Sequence, residues 1–165
     1  MPSTIRRLRD DDRPWLREAL QSAWGAVDVA RKGEIIDASQ LPGFVAADSS
    51  ARAGVVNTAN RGGEYEIVSL ISFQSRNGVG TALIQRCIED AASAGCSRVW
   101  VRTTNNNIAA IALYQRAGLD LCKLDRGAVE RSRRLKPWIP LRDEKGIRLV
   151  HELEFELLLD RAVTL

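Results

Sequence analysis

Ser72 to Cys87 reads SFQSRNGVGTALIQRC. The apolar stretch Tyr65 to Phe73 leads into it, and Ala82-Leu83-Ile84-Gln85-Arg86-Cys87-Ile88 leads out. A strand is therefore expected to hand over to a helix here. The junction carries two glycines one residue apart, Gly78 and Gly80. Glycine has two uses in such a place. It supplies a turn at positive φ. It also lets the backbone approach an anion, where the first N–H groups of a helix lack internal partners and the helix dipole favours negative charge. The Gly-x-Gly by itself leaves both uses open.

The whole chain narrows the choice. Its 165 residues suit one domain, taken as 1–165, with a sizeable core. A net charge of +3 does not by itself call for nucleic acid, but it suits a small polyanionic ligand. No apolar run approaches the ~20 residues of a membrane span. The start, Met1 to Arg7, lacks an apolar signal core, so a cytoplasmic location is expected. Cys87, Cys96 and Cys122 form no C-x-x-C pair, and His151 is the only histidine. A four-ligand zinc site is not expected, and Cys–His catalysis would have to use His151. Cys87 falls on the apolar side of its helix, where a thiol behaves as a small hydrophobe.

Around the glycine junction the elements fall into order. Ile5 to Arg9 reads as a strand. Asp10, Asp11 or Asp12 is placed to cap the next helix, which has Pro14 in its first turn and ends near Gly25. Val27 to Phe44 breaks into short pieces at Gly33 and Leu41-Pro42-Gly43. Phe44 to Ala47, Ala53 to Asn57 and Glu64 to Phe73 suit an antiparallel meander. Leu83, Ile84, Cys87, Ile88 and Ala91 repeat at helical spacing, with Gly95 as the stop. Then come a strand at Arg98–Arg102, a helix at Ile108–Arg116, a strand at Leu119–Leu124, a short basic helix at Arg126–Lys136 and a strand at Leu149–Leu159. Strand–helix–strand–helix–strand implies crossovers and a partly parallel sheet.

Ser75-Arg76-Asn77-Gly78-Val79-Gly80 resembles the pyrophosphate loop of the GCN5-related N-acetyltransferases (GNAT), Gln/Arg-x-x-Gly-x-Gly/Ala. Asn107-Ile108-Ala109-Ala110-Ile111-Ala112-Leu113-Tyr114-Gln115-Arg116-Ala117-Gly118-Leu119 is similar to that family's second signature, Asn-x-x-Ala-x-x-Leu-Tyr-x-x-x-Gly-Phe. Ser75 stands where Gln or Arg is usual, and Leu119 replaces Phe. The detailed match runs from Glu64 to Leu124. Other phosphate loops fit less well. A P-loop needs Gly-Lys-Ser/Thr, and a dinucleotide fingerprint needs a third glycine near Leu83.

The resemblance implies an α/β fold: a single GNAT-like domain whose mixed central sheet holds a splayed parallel strand pair, flanked by helices. It implies acetyl-CoA, or another acyl-CoA, as donor, with no metal. Backbone N–H groups of Leu70, Ile71 and Ser72 would meet the pantetheine and the thioester carbonyl. Arg76, Asn77, Gly78, Val79, Gly80 and Thr81 would hold the pyrophosphate. Asn107 would bond the pantetheine or cap its helix, and Tyr114 takes the general-acid position. Glu66 takes the place of a glutamate that deprotonates the acceptor through water, with Glu64 as the neighbouring candidate on the same face.

The expected activity is acetyl transfer to a primary amine of an unidentified small molecule or peptide. The alternative is a non-catalytic acyl-CoA-binding regulatory module on the same fold. Arg126, Arg131, Arg133, Arg134 and Lys136 read as a solvated face rather than a nucleic-acid platform, since no aromatic residues interleave with them. Glu152, Glu154 and Glu156 alternate with Leu153, Phe155 and Leu157, as on a strand with one wet face. The oligomeric state is left open: the resemblance allows a homodimer through edge strands, and no membrane partner is expected.

Overall fold

The computed structural model describes residues 4–31, 34–49, 51–73 and 78–160. In chain order they form β1 (Thr4–Arg7), α1 (Arg13–Trp24), β2 (Asp28–Arg31), β3 (Glu34–Asp37), β4 (Gly43–Ala47), β5 (Arg52–Arg61), β6 (Glu64–Ser72), α2 (Val79–Ser93), β7 (Arg98–Thr104), α3 (Ile108–Arg116), β8 (Asp120–Asp125), α4 (Ala128–Leu135) and β9 (Glu152–Leu158). Seven strands make one sheet in the order β1-β4-β5-β6-β7-β9-β8, and β2 and β3 make a separate hairpin. The meander β4-β5-β6 is antiparallel. β6 and β7 are parallel, joined by the α2 crossover. The fold is mixed α/β, as the sequence leads one to expect.

The second crossover departs from expectation. β8 does not lie beside β7. β9 enters between them, antiparallel to both. The stretch from Val27 to Phe44, expected only to break into short pieces, contains the β2–β3 hairpin, in register from Asp28↔Asp37 to Arg31↔Glu34.

Alternation along the strands separates two faces. On one, Phe44, Val56, Tyr65, Ile67, Val99, Val101 and Phe155 pack with Leu83, Ile84, Cys87 and Ala91 of α2 and Tyr114 of α3. Cys87 is fully buried, and burial pushes its thiol up to about 12. On the other face, Val45, Val55 and Ile71 pack with Leu16, Ala19 and Leu20 of α1, and Val27 and Val29 lean on this cluster. Side chains of β6 and β7 that fall between the first set, notably Glu66 and Trp100, point to this second face.

The expected aspartate cap does not form. Asp10–Asp12 make a short 3-10 turn, and no aspartate side chain caps α1. The Asp12 carboxylate instead accepts from Arg6 at 2.7 and 2.9 Å, from the Arg9 backbone N–H at 2.8 Å and from Arg52 at 3.1 Å. These donors, Arg6 foremost, hold its carboxyl well below the usual carboxylate range. The buried carboxylate thus ties β1, α1 and β5 together. No helix among the described residues is long and apolar enough to cross a membrane.

Candidate active site

The parallel pair opens part-way along. β6 and β7 are in register from Glu64↔Arg98 to Ile67↔Val101 and no further. Yet β6 continues to Ser72, held on its far side by β5, and β7 continues to Thr104, held on its far side by β9. A register shift between β5 and β6 at Asn57/Thr58 falls at the same level. The β6/β7 register therefore ends at Ile67, and β6 runs on through Leu70, Ile71 and Ser72. A strand edge beyond its ladder presents backbone donors and acceptors to whatever enters.

At the end of β6 the two glycines prove to have different reasons. Gly78 takes φ +74° as the residue before α2, a conformation that favours glycine. Gly80 is helical and buried. A Cβ there would lie 3.1 Å from Cδ2 of Leu113, so glycine lets α2 approach α3 closely. Gly78 accepts the Ala82 N–H at 2.9 Å, starting the helix. Val79, Gly80 and Thr81 make up its first turn, where the N–H groups of a helix lack partners within the helix. Arg76 and Asn77 lie outside the described residues.

Asn107 caps α3: its side chain accepts the Ala110 N–H at 3.2 Å. Two turns on, Tyr114 is buried against the ring of Phe155, centroids 5.6 Å apart. Phe155 is the register partner of Val101, the last β7 residue paired with β6. Tyr114 therefore stands at the level where the strands part, on the α2/α3 face. Burial pushes its phenol up to about 12.

Glu66 stands at the same level on the other face, opposite Ala59 and Trp100. It is 4% exposed and Trp100 3% exposed, so Glu66 is no surface charge. Glu64 is exposed, 3.2 Å from Arg98. The two glutamates share a face but not an environment.

The expected wet face of β9 is instead an ion-pair ladder. Arg98 reaches Glu154 at 3.2 Å and Glu156 at 2.7 Å, and Arg102 reaches Asp125, Glu152 and Glu154 at 2.9, 3.2 and 3.1 Å. Burial pushes the Glu154 carboxyl up, but hydrogen bonds from both arginines outweigh it and leave it lowered. Glu152 is raised, by burial first. Alternation alone does not reveal this, because the shielding comes from arginines on the neighbouring strand.

Sequence reasoning also missed Asn57 and Ser69. They are buried on the same face and linked by a 2.9 Å hydrogen bond beside the register shift. Trp100, under the stacked guanidinium of Arg98 at 5.2 Å, was likewise read only as a strand residue.

A mixed sheet parted at a parallel pair, with a glycine-led helix at the opening, is the architecture of acetyltransferases that use coenzyme A thioesters. The sequence pattern of the Acetyltransferase (GNAT) family matches residues 5–119, and this chain belongs to that family. It is 38% identical to the uncharacterized protein YdhI of Bacillus subtilis (strain 168), over 83% of this chain and 86% of that one. In structure it is similar to the IAA acetyltransferase from Bacillus cereus ATCC 14579, with TM-score 0.75 and 22% identity over 95% of this chain and 99% of that one. It is also similar to yncA from Salmonella typhimurium with its cofactor acetyl-CoA, with TM-score 0.70 and 15% identity over 100% and 98%.

Proposed function

We propose that the protein transfers an acetyl group from acetyl-CoA to a primary amine. The observation that carries this reading is the parting of β6 and β7 after Ile67 and Val101, with a candidate acid and a candidate base on opposite faces at that level. The donor enters the opening from the α2 end. The first-turn N–H groups of Val79, Gly80 and Thr81, with Gly78, face its pyrophosphate, helped by the helix dipole. Arg76 and Asn77 precede them in the sequence. The stretch of β6 beyond its register with β7, Leu70, Ile71 and Ser72, receives the pantetheine arm and supplies N–H donors to the carbonyl oxygen as charge develops there. Asn107 holds the start of α3 beside it.

On the other face, Glu66 takes a proton from the acceptor ammonium through water. The neutral nitrogen then attacks the thioester carbon, a C–N bond forms and the C–S bond breaks. Tyr114 gives its proton to the departing sulfur and regains one as the amine loses its second. At about 12 the phenol is a weaker acid than a thiol of pKa ~8.5, so its help is modest and late, as charge builds on sulfur. No step requires a metal.

The test is thiol release from acetyl-CoA over a panel of amines, with calorimetry of acetyl-CoA binding alongside. Amine-dependent release supports transfer. Saturable binding with no release from any amine points instead to the acyl-CoA-binding module.

A further inference from the structure

Two segments far apart in sequence meet on the α1 side of the sheet. β2 lies on the α1 side of the sheet, where Val29 packs on the α1 cluster. α4 lies in the connection from β8 to β9, at the other end of the sheet, yet it packs against β2. Lys136 makes the bridge. It is buried, and its ammonium donates to the backbone carbonyl of Asp28.

Both ends of this bridge are tied down. Lys136 donates its N–H to Ser132 at 2.8 Å, and Ile139 donates to the Lys136 carbonyl at 3.1 Å. Arg133 grips the carbonyls of Ile139, Pro140 and Leu149, and Val129 donates to Val150. On the β2 side, Ala38 donates to Val27 at 3.1 Å, and β2 pairs with β3. In sheet order β6 and β7 lie between β4 and β5, which carry most of the strand side of the cluster that Val29 packs on, and β9 and β8, which the α4 segment connects. Glu66 and Trp100 point to this face and are buried.

From this arrangement we infer that the Lys136–Asp28 bridge roofs the acceptor side of the opening, and that the acceptor is a small free-standing amine rather than a lysine or N-terminus of a polypeptide. The inference rests on the reading of this site as an N-acetyltransferase. An extended chain rises about 3.3 Å per residue and needs an open trough so that its body can leave the site. A roof tied at both ends leaves only a mouth. A compact amine passes a mouth, and Asn57, Ser69 and Glu66 give its polar groups partners on the floor. Lys136 acts here as a specificity-determining residue through the roof, not as a catalytic one.

The experiment measures kcat/KM by thiol release for spermidine, ethanolamine and tyramine against the peptides Ala-Gly-Ser and acetyl-Gly-Lys-Gly amide. The comparison is run for the wild type, Lys136→Met and Lys136→Ala. Methionine keeps the stem without the donor, so one variant tests loss of the hydrogen bond and the other loss of the beam. The wild type is expected to favour its best small amine over either peptide by about 100-fold. Lys136→Met or Lys136→Ala should narrow that ratio by about tenfold, through the peptide KM, with unchanged acetyl-CoA affinity. Peptide turnover by the wild type equal to that of the best amine overturns the roof while leaving acetyl transfer intact. So does an unchanged ratio in folded variants. Acetyl-CoA binding with no thiol release from any compound overturns the transfer reading, and this inference with it.

Discussion

Gly80 on α2 faces Leu113 on α3 so closely that a methyl group at residue 80 would meet the leucine Cδ2 at 3.1 Å. The second glycine of the strand-to-helix junction is therefore required by helix packing whether or not an anion binds. For the first, Gly78, no described residue lies within 4 Å of where its Cβ would be, and its positive φ is what favours glycine.

These two requirements separate by mutation. Gly80→Ala should cost about 1–3 kcal/mol by crowding Leu113. Gly78→Ala should cost about 1–2 kcal/mol through backbone strain alone. Urea denaturation measures both. In a Leu113→Ala background the cost at Gly80 should largely vanish, whereas the cost at Gly78 should persist.

Tyr114→Phe keeps the ring against Phe155 and removes the acidic proton. It should fold normally, bind acetyl-CoA nearly as well by calorimetry, and lose turnover by about 100-fold, the low end for a general acid. Burial pushes the phenol up to about 12, so the wild-type pH–rate profile should show no loss from its ionisation below about pH 11. Turnover equal to wild type would leave Tyr114 a packing residue whose proton is replaced by water.

Glu66→Gln removes the candidate base at nearly constant shape. Turnover should fall most at low pH, where the acceptor amine is charged, and least at high pH, where it is already neutral. Glu64→Gln should leave the profile in place, because Glu64 is exposed and engaged with Arg98. An overlay of the Glu66→Gln and wild-type profiles would remove Glu66 from the chemistry.

Asp12 sets an acid limit on stability. Its folded carboxyl is held below the unfolded value of ~3.9, so the stabilisation is present above that pH and is lost as pH falls through the folded value. Asp12→Asn should lower stability at neutral pH by about 1.5–3 kcal/mol, the range for hydrogen bonds to charged groups. It should also flatten the decline below pH ~4 in acid-dependent melting curves.

The elements nearest the site were readable because each is specified locally. The glycine junction follows an alternating strand, and Asn107 begins a helix with Tyr114 seven residues on. What escaped depends on partners distant in the chain. The β2–β3 hairpin consists of two four-residue strands rich in charge, with little apolar pattern to announce them. The position of β9 between β7 and β8 is a pairing choice, invisible to periodicity. Glu154 alternates like a solvent-facing residue, yet Arg98 and Arg102 cover it from β7. Asp12 looks like a cap because three aspartates precede Pro14, but two arginines compete for it and win.

The placing of β9 also bears on how this sheet is completed during synthesis. Of the nine described strands it is the last to be synthesised, and it fills a gap in the interior of the sheet. Until it emerges, β7 has a bare flank and β8 has no strand beside it. Arg98 and Arg102 meanwhile lack the Glu152, Glu154 and Glu156 carboxylates. A nascent chain halted before Glu152 thus exposes two unpaired strand edges, the surfaces most prone to joining those of another chain. The last of the described strands acts as a keystone, covering a flank of β7 and of β8 in one step.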